Sequence, residues 1–253
     1  MERKIIVVTA AYGHDRLTQL GGQAAVLPFI ANGGADGVEI RRELFSPQEL
    51  ESLPALAATI AKHGLLACYS APEPLCLPDG TLNPLLPALL QEAHALNALW
   101  LKVSLGHFQH KSTLEPLRAL LAESGMALVV ENDQTECGKI APMQRFSAAC
   151  KVLDLPVTLT FDMGNWLWVD ESPEEAARLL APAVSYVHVK AAQAHHFHWR
   201  AVPPDHDDPR WQALLDALPA DAPRGIEFPL EGRDLTAVTR RYVTWLREEF
   251  HHA

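Results

Sequence analysis

The chain has 253 residues, 48% of them hydrophobic and 21% charged, and a formal net charge of −10 at pH 7. That composition belongs to an ordinary globular protein with ample core, of the size of one α/β barrel. The acidic balance, without a dense Lys/Arg cluster, argues against a nucleic-acid partner, and no stretch approaches the roughly 18 apolar residues of a membrane span.

The opening MERKIIVVTAAYG runs from charge straight into a strand-like stretch, without the apolar core and cleavage site of a secretory signal. The first predicted strand is 4–9 (KIIVVT). Others follow at 37–40 (GVEI), 65–69 (LLACY), 99–103 (LWLKV), 126–131 (MALVVE), 157–161 (VTLTF), 184–189 (VSYVHV) and 224–228 (RGIEF). Apolar runs this short suit strands buried on both faces of a parallel sheet. Periodic segments of helical length follow most of them. In FSPQELESL, Ser46 can cap, Pro47 takes the first helical position and Glu49 can close a capping box. DESPEEAARLL repeats the arrangement with Ser172, Pro173 and Glu175, and in DDPRWQALLDAL Asp208 caps a helix begun by Pro209. Gly64 and Gly125 fall where the second and fourth helices should stop.

Eight right-handed crossovers close naturally into a (β/α)8 TIM barrel, expected as a single domain over residues 1–253. The competing open, doubly wound sheet would carry a Gly-rich phosphate turn after its first strand, and TAAYGHD lacks that fingerprint. Cys68, Cys76, Cys137 and Cys150 show no CxxC spacing and are expected to be reduced thiols in a cytoplasmic protein.

Four strand ends carry ligand-type side chains: Glu131 in LVVEND, Asp162 in TLTFDMGN, His188 in SYVHVK and Glu227 in GIEFPLEG. Successive barrel strands end on one face, so these four would converge there. One acidic residue at a strand end is more often solvated or capping the next helix. Four on one face, three carboxylates and an imidazole, suit one divalent ion of the Mn, Mg, Co or Zn kind.

Alternation along the strands supports an inward aim. Thr158, Thr160 and Asp162 share one face, against Leu159 and Phe161. Tyr186, His188 and Lys190 oppose Val187 and Val189, and Gly225 and Glu227 oppose Ile226 and Phe228. Glu39 and Arg41 on the second strand, with Lys102 and Ser104 on the fourth, also face inward. Lone buried charges are costly, so Glu39 and Lys102 are expected to pair, with a role in substrate binding as the alternative.

Taken together, VVEN, FDMGNWLW followed by the ESPEEA helix, YVHVK and IEFPLEG resemble the xylose isomerase-like sugar phosphate isomerase/epimerase superfamily, which also includes endonuclease IV-type enzymes. The resemblance covers most of the chain and is best from Glu131 to Gly232. It implies a metal held by Glu131, Asp162, His188 and Glu227, with the two glutamates exchanging protons with a small sugar, keto-sugar or sugar acid. Such a metal polarises a hydroxy-ketone carbonyl and stabilises an enediolate. A lyase or dehydratase on a related substrate, or a non-enzymatic ligand-binding barrel, are the alternatives. An endonuclease IV-type phosphodiesterase is disfavoured by the acidic chain and the missing histidine cluster. The resemblance also implies possible homo-oligomers.

The chain departs from the pattern at Asn165, where sugar epimerases often carry histidine, at Ala191, where many relatives have aspartate, and at Ala194, where ketose epimerases carry arginine. These departures bear on the substrate more than on the metal. Glu39, Arg41, Asn165, Trp166, Lys190 and Arg200 are the candidate substrate-binding residues. Trp166 and Trp168 would either wall the substrate or pack under a loop. The segment AAQAHHFHWRAVPPDHDD is read as a substrate-covering loop rather than a second metal site built from its HHFH run, with Arg200 meeting a carboxylate or phosphate. His14 and His107 could line the pocket, and His251 and His252 are read as surface residues.

Overall fold

A computed structural model describes residues 3–205 and 207–248. Its strands are β1 (Ile5–Val8), β2 (Gly37–Arg41), β3 (Leu66–Cys76), β4 (Ala98–Gly106), β5 (Ala127–Glu131), β6 (Val157–Asp162), β7 (Val184–Val189), β8 (Ala191–His195), β9 (His198–Val202) and β10 (Arg224–Ile226). A closed parallel barrel runs β1-β10-β7-β6-β5-β4-β3-β2, with helices between the strands, so the fold is a (β/α)8 TIM barrel. Each expected strand forms. β3 and β4 run several residues past their expected ends, with a register shift between Ser70 and Pro74. β10 stops at Ile226, but the Glu227 N–H still donates to Val189 O at 3.1 Å, which keeps Glu227 in line with the sheet.

The alternation sorts side chains as chain geometry requires. Val38, Ile40, Val130, Leu159, Phe161, Val187 and Val189 join the large apolar layer that also contains buried residues of the helices. Ile6, Cys68 and Tyr186, with Trp100 packed on them, form a separate small cluster inside the barrel. Trp100 and Tyr186 lie with ring centroids 4.7 Å apart. Gly225 makes room for this layer, because a Cβ there would collide with the Tyr186 hydroxyl.

Helix starts follow the capping signals. Ser46 and Glu49 form a full capping box, and Asp208 accepts from the Arg210 N–H at 2.9 Å. At Ser172 only half of the expected box forms. Ser172 Oγ accepts from the Glu175 N–H, but the Glu175 carboxylate turns to the Arg178 guanidinium. Gly125 ends the helix Leu117–Ser124 in the left-handed region at φ 63°, and Gly64 at φ 69° follows the helix Leu53–Lys62.

The segment after β7 differs from expectation. It is not an irregular loop but a two-stranded antiparallel hairpin, β8 against β9, in which His195 pairs with His198. His196 turns the chain at φ 55°, and Phe197 at the tip is 98% exposed. His206, His251 and His252 lie outside the described residues. Among the described residues, no helix is long and apolar enough to cross a membrane.

Gly225→Ala is expected to destabilise the protein by about 1–3 kcal/mol through overpacking, and Tyr186→Phe in that background should recover part of the loss. Denaturant unfolding checks both. An unchanged midpoint in Gly225→Ala would contradict this packing.

Candidate metal centre

The four strand ends meet as the spacing anticipated. Glu131, Asp162, His188 and Glu227 each offer one ligand-type atom, and these atoms all lie within 4.8 Å of one another. His188, fully buried at the end of β7, is the hub. Its Nδ1 is 2.9 Å from Glu131 Oε1, 3.1 Å from Glu227 Oε2 and 3.6 Å from Asp162 Oδ2. Its Nε2 points the other way, 2.9 Å from Glu39 Oε1.

Three cations surround the carboxylates. The Lys102 ammonium, buried on β4, pairs with Glu131. Lys190 Nζ lies 3.0 Å from both Asp162 Oδ2 and Glu227 Oε2, and Arg41 Nη1 donates to Glu227 Oε1 at 2.8 Å. Burial alone raises the Glu131 carboxyl, but Lys102 and His188 outweigh it and hold it well below the usual range. Glu227 behaves alike, with Lys190 and His188 overcoming burial. Asp162 is the exception. Burial, with Glu227 and Glu131 adding to it, pushes its carboxyl up despite Lys190. Burial lowers the His188 pKa, yet Glu39, Glu227 and Glu131 overcome this and raise it well above the ordinary histidine range.

Asp162 is locked by the turn that follows it. Its Oδ1 accepts from the Gly164 and Asn165 N–H groups at 3.0 and 2.9 Å. The Asp162 N–H donates to Asn132 Oδ1 at 2.8 Å, and Asn132 Nδ2 donates back to Asp162 O at 3.1 Å. Asn132, next to Glu131 in VVEND, escaped the sequence reading. Its signal was a polar residue directly after a ligand-bearing strand end.

Several expectations need correction. Glu39 and Lys102 do not pair. Glu39 reaches His188, while Lys102 takes Glu131. Asn165 is buried, donates from Nδ2 to Asn132 O at 2.8 Å and accepts from Gln134 Nε2 at 3.0 Å, so it braces the turn. Trp166 is fully buried against Phe161, with ring centroids 5.4 Å apart, on the outer face of the barrel wall. The tryptophan beside the site is Trp168, whose ring centroid is 5.6 Å from Lys190 Nζ. Arg200 is exposed on β9 and donates to Gln193 across the hairpin at 2.9 Å, with no contact to the cluster among the described residues. His14 and His107 are exposed and belong to no ligand cluster among the described residues.

The donor set fits a divalent cation. Asp162 Oδ2 is buried and accepts no hydrogen bond; its closest partner is the Lys190 ammonium at 3.0 Å, and it faces the other three ligand atoms. Glu131 and Glu227 retain 13% and 15% side-chain exposure, which leaves the centre open toward solvent. Three carboxylates and one imidazole are the oxygen and nitrogen donors that zinc and similar divalent ions take, and Glu131, Asp162, His188 and Glu227 would hold such an ion.

Neither a protein-family model nor a curated protein matches the sequence. Among solved structures, the chain is similar to an IolI protein described with a binding zinc atom, at TM-score 0.73 and 11% identity over 99% of this chain and 100% of that one. It is similar to the probable 3-DHS dehydratase AsbF, involved in petrobactin synthesis, from Bacillus anthracis, at TM-score 0.69 and 13% identity over 96% and 98%. D-psicose 3-epimerase with D-tagatose, from Clostridium cellulolyticum H10, matches at TM-score 0.64 and 13% identity over 96% and 98%. At such identities the shared feature is the fold, a TIM barrel.

Imidazole must give up its Nδ1 proton to ligate a cation. With the His188 pKa raised, a divalent ion is expected to displace a proton at neutral pH, and its affinity should fall as pH falls. Calorimetry in two buffers of different ionisation enthalpy reads the proton. Affinity independent of pH, with no proton released, would contradict this arrangement.

Proposed function

We propose that the protein is a divalent-metal-dependent isomerase or epimerase of a small sugar, keto-sugar or sugar acid. The observation that carries this reading is the convergence of the Glu131, Asp162, His188 and Glu227 ligand atoms within 4.8 Å at the open end of the barrel. The fold likeness to an epimerase and to a zinc-bearing barrel supports it. Four free cysteines suit a reducing, cytoplasmic setting.

In this reading Glu131, Asp162, Glu227 and the Nδ1 of His188 hold the ion. The ion supplies Lewis acidity to a substrate carbonyl and charge to stabilise the anion formed when the neighbouring carbon loses its proton. Glu131 and Glu227 exchange that proton. Both are held ionised, the form that accepts a proton, and both keep solvent-facing exposure. Lys102 fixes Glu131 from one side, and Arg41 and Lys190 fix Glu227 from the other. Return of the proton to the opposite face gives an epimer, and return to the adjacent carbon gives an aldose–ketose pair. Lys190, with Trp168 beside it, is the cation placed to meet a substrate oxygen.

A dehydratase on a related substrate is the second reading, favoured by the AsbF likeness and by the buried Lys190 ammonium, which could protonate or steady a departing hydroxyl. Incubation of the metal-loaded protein with a ketose panel in deuterated water separates the two. The isomerase reading expects deuterium at the carbon next to the carbonyl, with exchange lowered about 10²–10⁴-fold in Glu131→Gln and Glu227→Gln. A product lighter by one water supports the dehydratase. No exchange on any ketose would count against the first reading.

A further inference from the structure

We propose that Glu39 is a positioning residue for His188, holding the imidazole as its Nε2–H tautomer so that Nδ1 faces the three carboxylates. This rests on the metal-centre reading above, which it deepens.

Glu39 sits on β2 and His188 on β7, and in the barrel order β1 and β10 lie between those strands. The Glu39 side chain therefore spans the barrel interior to reach the imidazole. Both side chains have 0% exposure, and the Nε2–Oε1 distance is 2.9 Å. A carboxylate oxygen 2.9 Å from Nε2 is a hydrogen-bond acceptor, so Glu39 favours hydrogen on Nε2 and leaves Nδ1 as the nitrogen that would release its proton to an ion. The two ring nitrogens thus have separate duties. Nε2 is tied to a single buried acceptor, and Nδ1 looks toward Glu131, Glu227 and Asp162. An ion on the Nδ1 side is beyond Glu39's reach, because the ring stands between them.

Other contacts fix the remaining freedom. Tyr186, two residues earlier on the same strand, stands edge-on to the imidazole with ring centroids 5.0 Å apart and planes at 79°. Arg41 Nη1 lies 3.8 Å from Glu39 Oε2 and restrains the carboxylate from above. A carboxylate on the far nitrogen of a metal-ligating histidine sets its tautomer and orientation and raises its basicity as a ligand. The bland alternative is that Glu39 only balances the buried charges of Arg41 and Lys102. That role predicts a loss of stability on mutation, with no change in tautomer or in affinity for metal.

Two measurements decide between them. In zinc-loaded wild-type protein labelled with ¹⁵N-histidine, long-range ¹H–¹⁵N spectra should show His188 protonated at Nε2 with Nδ1 ligated. The reverse assignment overturns the proposal and requires no variant to fold. In Glu39→Gln, checked for folding by circular dichroism and metal-free melting, zinc affinity from chelator competition should fall about 10–100-fold. The visible spectrum of the cobalt-substituted variant should also differ from that of wild type. A folded variant that binds zinc as tightly as wild type, with an unchanged cobalt spectrum, overturns the proposal while leaving the metal centre intact. Wild-type protein that binds neither zinc nor cobalt overturns the metal-centre reading itself.

Discussion

The structure depends on matching buried charge inside a closed barrel. Desolvating a carboxylate or an ammonium is expensive, and the cost is met only when partners and hydrogen bonds are supplied in the same volume. Here Glu39, Asp162, His188 and Lys102 are almost wholly withdrawn from water. Each has a counterpart within ion-pair distance, drawn from a different strand. A core of this kind contributes little to stability compared with an apolar one. Buried charge beside fully apolar strand faces is what makes this end of the barrel the candidate site.

Beneath the charged layer the barrel is closed by packing. Ile6, Cys68, Trp100 and Tyr186 fill the interior one level down, and Gly225 provides the space that Tyr186 needs. This layer excludes water from the lower side of His188 and leaves approach from the mouth. The turn after β6 then fixes Asp162 through Gly164, Asn165 and Asn132, so the carboxylate aimed at the centre is held by backbone as well as charge. Rigid strand ends with short, braced turns are what a metal centre needs, because ligand geometry must not wander.

Much of this was legible in the chain itself. Short apolar runs marked the barrel strands, and alternation with period two marked which side of each strand faced inward. His188 between Val187 and Val189, or Asp162 after Phe161, needed no further information. What was not legible was the choice of partner. Glu39 and Lys102 were both correctly turned inward, but barrel stagger decides which opposite charge each meets, and stagger is not local in sequence. Trp166 and Trp168 differ by two positions, but they lie on a short helix, where a step of two turns the face by more than a right angle. One therefore enters the wall and the other borders Lys190. The hairpin of β8 and β9 was missed because its tip, His196–Phe197, lacks the glycine or asparagine that normally marks a two-residue turn.

In the reading proposed above, the four converging strand ends hold one divalent ion. Elemental analysis of protein purified without chelator, and again after dialysis against manganese, tests it most directly. Wild type is expected to carry about one divalent ion per chain, and folded Glu131→Gln and His188→Ala variants to lose it. Wild-type protein that remains metal-free after manganese dialysis would contradict the account and favour a ligand-binding barrel whose buried charges serve each other alone.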